Sequence, residues 1–289
     1  MKLFLLKHKL PLISLLLILA ILFTIKVLQE SWSIAEVVTP DFKNSNNSVV
    51  STSSAPSENN FEETILIEYV KVVDSCGTAF NGACVNVRSS PSTSAPVMFR
   101  ARNGLVLKVT EKVEKEGKNW YKLSFKNEWL RYPERVTSNM YISADYVVPF
   151  FDKGTEDLTS SSPATSKHIV VDRSEQMLYA YEGEKLFMKE KVSTGIKLTP
   201  TPRGTFTVFK KTPSRYMQGP IPNISNHYYD LPGVPWNLYF TEEGAVIHGA
   251  YWHDKFGQVW SNGCVNLPLE SAEKLYNWAD VGTKIVVRD

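Results

Sequence analysis

The sequence predicts a mainly β protein made of two consecutive β domains, with one main helix near its C-terminus. Short runs rich in Val, Ile, Tyr and Phe, separated by Gly, Asn and Ser, recur along most of the chain and are typical of β-strands. Apolar residues at helical spacing occur clearly only over residues 269–279. Two Ser-rich segments divide the chain of 289 residues, a length typical of about two domains.

The N-terminal segment predicts a membrane anchor. Lys2, Lys7 and Lys9 precede the uncharged stretch 10–25, which approaches the ~20 apolar residues that span a bilayer. Basic residues before such a segment predict that the N-terminus stays in the cytoplasm. We therefore expect residues 1–31 to be a cytoplasmic stub and transmembrane signal-anchor in the cell membrane, with everything downstream extracytoplasmic. A cleaved signal peptide is the alternative.

Residues 32–64 and 151–166 predict flexible linkers. Residues 44–48 are Asn-Ser-Asn-Asn-Ser and residues 160–163 are Ser-Ser-Ser-Pro, compositions that bury little apolar surface. The two linkers leave two folded blocks between and after them. The net charge of +2 gives no broad positive field, so we expect no nucleic-acid partner.

The first folded block, residues 65–150, has the pattern of a small β domain, with strand-like runs at 65–73, 105–109 and 120–125. The stretch 85–91, Val-Asn-Val-Arg-Ser-Ser-Pro, followed by Asn103-Gly104 and Trp120-Tyr121, resembles a bacterial SH3-type domain. This resemblance implies a small barrel that binds cell-wall peptides or acts as a spacer.

Two of the three cysteines, Cys76 and Cys84, lie close together just before this stretch. Outside the cytoplasm they could close a short loop as a disulfide. Two free buried thiols are the alternative. Either reading leaves Cys264 unpaired.

The second folded block, residues 167–289, opens with a hairpin pattern at 168–172 and 176–181. Further strand-like runs lie at 186–192, 204–209 and 284–287. Leu269, Ala272, Leu275, Tyr276 and Ala279 repeat at helical spacing, and Glu270 suits the first turn of that helix. These patterns predict a mostly antiparallel β domain with one helix.

The residues with the clearest chemistry are Cys264, which lies in Ser-Asn-Gly-Cys-Val-Asn at 261–266, and His248, sixteen positions earlier. A thiol is largely protonated at neutral pH, so a cysteine nucleophile needs a base such as imidazole. Gly249 and Gly263 would let backbone approach a substrate, and the amides of Gly263 and Cys264 could form an oxyanion hole. A buried structural cysteine and histidine are the alternative.

A zinc site at His248, His253 and Cys264 is a further alternative for these residues. The two histidines are five positions apart, which does not match the spacing of a His-Glu-x-x-His zinc motif, and no acidic ligand is clearly placed with them. We therefore expect no metal.

Two motifs together are similar to the signature of the L,D-transpeptidase catalytic domain, also called the YkuD-type domain. These are Ile-His-Gly-Ala-Tyr-Trp-His at 247–253 and the motif at 261–266, supported by Val-Ser-Thr-Gly at 192–195 and the stretch 199–206. The resemblance covers essentially all of 167–289. It implies an L,D-transpeptidase-type β domain that needs no cofactor.

The same resemblance assigns roles to single residues. Cys264 would be the nucleophile and His248 the proton acceptor and donor, with His253 as the alternative base. Ser261 would support the thiolate or cap a turn, and Asn262 stands where the family usually has histidine. Supporting and substrate-contacting roles would further fall to Gly249, Gly263, Tyr251 and Asn266.

The function implied by the family is peptidoglycan L,D-transpeptidation on stem peptides at the cell wall. Cys264 would form an acyl-enzyme, and an acceptor amine would complete a 3→3 crosslink. Hydrolysis of the same acyl-enzyme would instead give an L,D-carboxypeptidase. Asn262 leaves open a third reading, a non-catalytic protein that binds the cell wall.

Overall fold

The computed structural model describes residues 67–126, 128–157, 166–223 and 225–289, all of which belong to one compact unit. The predicted anchor at 1–31 and linker at 32–64 lie outside the described residues. Within the described ranges, no helix is both long and apolar enough to cross a membrane.

The first block is a seven-stranded antiparallel sheet with the order β3-β2-β6-β5-β4-β1-β7, in keeping with the predicted β domain. Short 3-10 turns occur at Pro133–Arg135 and Ala144–Tyr146. Cys76 and Cys84 form a disulfide in the loop between the first two strands. The strands are β1 (Ile67–Val72), β2 (Val85–Arg88), β3 (Val97–Ala101), β4 (Val106–Lys115), β5 (Lys118–Leu123), β6 (Tyr141–Ser143) and β7 (Val147–Asp152).

The second block has two five-stranded sheets, β11-β10-β9-β17-β12 and β16-β15-β14-β13-β8. Its pairs are antiparallel except β15–β16 and β9–β17, and one α-helix follows β16, so the predicted mainly β fold class with one main helix is confirmed. The elements are β8 (Glu156–Asp157), β9 (Lys167–Asp172), β10 (Met177–Glu182), β11 (Lys185–Lys191), β12 (Gly204–Thr207), β13 (Lys210–Gln218), β14 (Asp230–Tyr239), β15 (Val246–Gly249), β16 (Val265–Leu267), α1 (Leu269–Trp278) and β17 (Lys284–Arg288).

Helix α1 fixes the strands that carry the site. It buries Ala272, Leu275 and Tyr276, the apolar stripe that the sequence predicts. A Cβ placed on Gly249 of β15 would lie 3.2 Å from the Ala272 Cβ and 3.0 Å from the Pro235 Cγ. Glycine at 249 therefore serves close packing of strand against helix, and not the approach to substrate that the sequence suggested.

The β13–β14 hairpin is the largest element that the sequence does not predict. Pro213 in β13, and Pro232 and Pro235 in β14, have no amide hydrogen to give to a sheet, so such runs argue against strands. The hairpin forms nevertheless, with an irregular register between Arg215 and Met217. Its burial in the shared core outweighs the unfavourable local composition.

The two blocks pack against each other. Tyr69 and Val106 of the first block belong to the apolar core of the second. Lys71 forms a 2.8 Å ion pair with Glu273 of α1, and the Ser214 hydroxyl donates to the Val106 carbonyl over 2.6 Å. Residues 151–157, at the start of the predicted second linker, contain the end of β7 and strand β8, which pairs with β13.

Candidate active site

The parallel pair of β15 and β16 places His248 and Cys264 on adjacent segments of the chain. Ile247 lies opposite Val265 and His248 opposite Asn266, so Cys264, one residue before β16, lies beside Val246. The Val246 N–H donates to the Cys264 sulfur, and the sulfur lies 3.9 Å from the Gly244 carbonyl oxygen. Cys264 is half-buried and is the free cysteine of the described chain.

His248 has the protonation state of a base. The side chain is buried and lies 3.0 Å from the Gly249 carbonyl oxygen through Nδ1. A carbonyl can only accept, so Nδ1 carries the proton and Nε2 keeps its lone pair. Burial lowers the pKa of His248 to about 3, and the charge of Arg215 contributes in the same direction. The neutral imidazole can therefore accept a proton from a neighbouring thiol.

His253 is occupied on both ring nitrogens. The Lys255 N–H donates to its Nδ1 over 3.1 Å, and the Asn266 side-chain amide lies 2.8 Å from its Nε2. Burial lowers the pKa of His253 to about 4. The geometry therefore favours His248 over His253 as the base that serves Cys264.

Ser261 closes the turn that carries Cys264. Its hydroxyl donates to the Cys264 carbonyl over 2.5 Å and accepts the Gly263 N–H over 3.1 Å. Gly263 has a φ angle of 114°, a backbone conformation that residues other than glycine rarely adopt. The expected oxyanion role of the Gly263 amide is thereby corrected, because the turn already uses this N–H. Of the two amides, the Cys264 N–H remains the candidate hydrogen-bond donor to the oxyanion.

The segment 192–201 supports this turn from the other side. Ser193 and Asn266 exchange backbone hydrogen bonds, and a Cβ on Gly195 would meet the Thr199 carbonyl oxygen and lie 2.9 Å from the Gly263 Cα. The buried Thr201 hydroxyl accepts the Gly195 N–H over 2.9 Å and donates to the Cys264 carbonyl over 3.4 Å. Thr201 and Gly195 thus hold the position of Cys264.

Comparison with known proteins agrees with this arrangement. Residues 166–287 match the family model of the L,D-transpeptidase catalytic domain, and residues 83–147 match that of a bacterial SH3 domain. Residues 166–287 are therefore similar in sequence to that catalytic domain. The motif-bearing strand β15, the Cys264 turn and helix α1 all lie within that matched range.

A curated relative is the "Probable L,D-transpeptidase 3" of Mycobacterium tuberculosis, 34% identical over 95 residues, or 31% of this chain. The match spans 35% of that relative's length. Similar solved structures include an L,D-transpeptidase from Mycobacterium smegmatis (22% identity, 63% of this chain and 99% of that chain, TM-score 0.41). Another is the catalytic domain of the Enterococcus faecium L,D-transpeptidase acylated by ertapenem (26% identity, 44% of this chain and 100% of that chain, TM-score 0.39).

Two residues expected to touch substrate in the L,D-transpeptidase domain are buried instead. Tyr251 is 4% exposed, donates its hydroxyl to the Pro232 carbonyl over 2.7 Å, and packs in the core of the first block. Asn266 is 2% exposed and holds His253. Both side chains thus have packing or positioning contacts in this structure, and their contact with substrate stays a prediction.

Asn262, at the position where the family usually has histidine, is exposed. Its side chain makes no hydrogen bond with the described residues. The turn is held by Ser261, Thr201 and Gly263, so the position of Cys264 does not depend on residue 262.

Arg215 and Tyr229 join the site without any sequence signal. Burial raises the pKa of the Cys264 thiol, whereas the charge of Arg215 and the Val246 N–H lower it. Tyr229 lies within electrostatic range of Cys264 and Arg215, and burial raises its pKa. Arg215 belongs to the unpredicted hairpin and Tyr229 immediately precedes β14, so their place beside Cys264 could not be anticipated.

Proposed function

We propose that this protein is a peptidoglycan L,D-transpeptidase that forms 3→3 crosslinks through an acyl-enzyme on Cys264. The observation that carries the proposal is the pairing of a free thiol with a neutral, carbonyl-oriented His248 on adjacent parallel strands. That pair lies inside the range matching the L,D-transpeptidase catalytic domain, which supports peptide stems as the substrate.

The acylation step uses both residues. His248 Nε2 accepts the thiol proton, and the Cys264 thiolate attacks the carbonyl of the diamino acid at the third stem position. The Cys264 N–H stabilises the developing oxyanion. Collapse of this intermediate breaks the peptide bond to the terminal D-alanine, and His248 returns the proton to the departing amine. A thioester remains on Cys264.

The second step reverses these roles. The side-chain amine of an acceptor stem attacks the thioester carbonyl while His248 accepts a proton from the amine. The carbon–sulfur bond breaks, the thiolate regains a proton, and a 3→3 peptide bond remains. Water in place of the amine gives a tripeptide, the product of an L,D-carboxypeptidase.

The location of the enzyme is also proposed. Residues 1–31 anchor the chain in the cell membrane, and the folded blocks lie outside, at the cell wall. The apolar run at 10–25 behind basic residues supports the anchor, and the Cys76–Cys84 disulfide is compatible with an oxidising compartment. Protease added to intact spheroplasts should degrade the folded blocks and spare a short N-terminal fragment. Full protection of the chain would contradict this topology.

The activity is tested on the full-length protein in detergent with disaccharide-tetrapeptides as substrate. Mass spectrometry should show release of D-alanine, a thioester on Cys264 and crosslinked dimers. Tripeptide without dimer would identify the carboxypeptidase instead. A folded protein that binds the peptide but gives neither adduct nor D-alanine would contradict the enzyme and support a wall-binding role.

Ertapenem offers a second probe of the same thiol. The proposal expects the protein to gain the mass of one opened carbapenem on a peptide containing Cys264. The adduct should be absent from Cys264→Ala. Labelling elsewhere in the chain would show that this thiol is not the reactive group.

A further inference from the structure

Arg215, on β13, has an unusual environment for an arginine. Its guanidinium Nη1 is buried and has no hydrogen-bond acceptor among the described residues. The guanidinium lies 5.2 Å from the Tyr239 ring, a contact that orients it without neutralising it. A buried charged donor without an acceptor is costly, and such groups are retained mostly where function requires them.

The position of Gly244 shows how close this charge is to the nucleophile. A Cβ on Gly244 would lie 3.8 Å from Arg215 Nη2, and the Gly244 carbonyl oxygen lies 3.9 Å from the Cys264 sulfur. The guanidinium and the thiol therefore flank the same residue of the β14–β15 turn. A positive charge at this place acts on a half-buried sulfur through little intervening water.

The charge of Arg215 acts on both members of the dyad. Burial raises the pKa of Cys264, and Arg215 opposes this by favouring the thiolate. Burial lowers the pKa of His248, and Arg215 adds to that by disfavouring the imidazolium. Proton transfer from Cys264 to His248 gives a thiolate and an imidazolium, so Arg215 assists the step through the thiolate and not through His248.

Among the groups near Arg215 on neighbouring elements is Glu128, a carboxyl group whose charge changes near neutral pH. Glu128, in the loop between β5 and β6, has its Oε2 buried without a partner, and burial raises its pKa to about 7. Lys108 and Arg215 partly oppose that rise. The Tyr239 ring lies next to Arg215, and Tyr229 interacts with both Arg215 and Arg131. As the pH rises through about 7, Glu128 gains a negative charge that offsets part of the charge of Arg215.

We propose that Arg215 is a positioning residue of this active site, whose charge stabilises the thiolate of Cys264 against the effect of burial. The charge reaches the thiol from the β13–β14 hairpin, whereas the exposed Asn262 next to the turn carries none. The chemical consequence rests on the proposed function, but the state of the thiol can be measured without substrate.

The test is the pH dependence of Cys264 alkylation by iodoacetamide, followed by mass spectrometry on the full-length protein. Cys76 and Cys84 form a disulfide, so Cys264 is the thiol that reacts. Arg215→Gln should shift the midpoint of the alkylation profile upward by about one pH unit, the size of effect expected from a neighbouring charge. The rate at pH 7 should then fall about tenfold. Arg215→Lys should restore most of the shift.

Arg288→Gln is the matched control, because Arg288 lies on β17 in the other sheet and pairs with Asp172. Its alkylation midpoint should equal that of the wild type. An unchanged midpoint in folded Arg215→Gln, or an equal shift in Arg288→Gln, would overturn the proposal. Loss of packing alone would change accessibility and slow alkylation at every pH without moving the midpoint.

Glu128→Gln keeps the proposal testable if Arg215→Gln does not fold. Removing this anion leaves Arg215 in place and should move the alkylation midpoint to lower pH, whereas no movement or an upward shift would contradict the proposed role. The product assay is separate. If the wild-type protein is alkylated as expected but forms no thioester with tetrapeptide, the proposed function is contradicted. The inference about Arg215 is not affected by that result.

Discussion

The β15–β16 edge and the β13–β14 hairpin form one site by different means. At the edge, His248 and Cys264 are placed by strand register and by a four-residue turn, so the holding contacts are short in sequence. The hairpin contributes Arg215 and the adjoining Tyr229 from a separate part of the chain. The two candidate catalytic residues are thus held by local contacts, whereas the charge of Arg215 reaches them from a distant part of the sequence.

Residues of the first block also hold the β13–β14 hairpin in place. In the loop between β5 and β6, the Tyr132 N–H donates to the Gln218 side-chain oxygen and the Tyr132 hydroxyl donates to the Pro220 carbonyl, each over 2.8 Å. Arg135 of the same loop donates to the Gly219 carbonyl over 2.8 Å. The SH3-type block therefore contacts the β13–β14 hairpin directly.

Cys264→Ala should have the largest effect, because it removes the only atom that can form the thioester. We expect complete loss of D-alanine release and of dimer formation in the tetrapeptide assay. Thermal unfolding should change little, since Cys264 is only half-buried. Residual dimer at more than background level would place the nucleophile elsewhere and would break the assignment of chemistry to the β15–β16 edge.

His248→Gln should reduce acylation by about 10²–10⁴-fold, the usual contribution of general acid–base catalysis. Glutamine fills similar space but cannot accept the thiol proton. The wild-type base has a pKa of about 3, so activity should not be limited by His248 above roughly pH 5. His253→Gln is the control, and it should retain most activity because both nitrogens of His253 already serve Lys255 and Asn266. A larger loss in His253→Gln would reverse the assignment.

The two regions also differ in what the sequence reveals. The dyad residues and the helix follow from motif and periodicity, because each pattern is contained in a short segment. The motif also allows Ser261 to cap the turn, because Ser261 and Cys264 belong to the same short segment. The position of Arg215 depends on a hairpin rich in proline, and the burial of Tyr251 depends on packing against the first block. No local sequence pattern predicts the position of Arg215 or the burial of Tyr251.

Ser261→Ala tests how much the local turn contributes. The change leaves the Gly263 N–H unpaired and removes a donor to the Cys264 carbonyl, which Thr201 still contacts. We expect a loss of stability of about 1–3 kcal/mol and a fall in acylation of about tenfold. Ser261→Thr keeps the hydroxyl and should restore both. Normal acylation in Ser261→Ala would show that the turn holds its shape without this bridge.

Tyr132→Phe tests the contact made by the SH3-type block. It removes one hydrogen bond to the Pro220 carbonyl and keeps the ring under Arg135, which lies 4.0 Å from the ring centre. One neutral hydrogen bond contributes about 0.5–1.5 kcal/mol, so we expect a change of a few-fold in KM for tetrapeptide and little change in the alkylation profile of Cys264. A shift of the alkylation midpoint would show that the loop between β5 and β6, and not the hairpin alone, influences the ionisation of Cys264.

Asn262→His should have the smallest effect, although residue 262 adjoins the turn glycine and carries the departure from the family motif. The Asn262 side chain is exposed and takes no part in the hydrogen bonds that hold Cys264. An exposed histidine has a pKa near 6.5 and is mostly neutral at pH 7.5, and its charge at lower pH is screened by water. We therefore expect the acylation rate at pH 7.5 to change by less than about threefold, an activation free-energy difference of about 0.6 kcal/mol. A gain of tenfold or more would show that the charge from the hairpin is not sufficient. The same substitution in Arg215→Gln gives the sharper comparison, because a rescue seen only there would show that the two positions can supply the same charge.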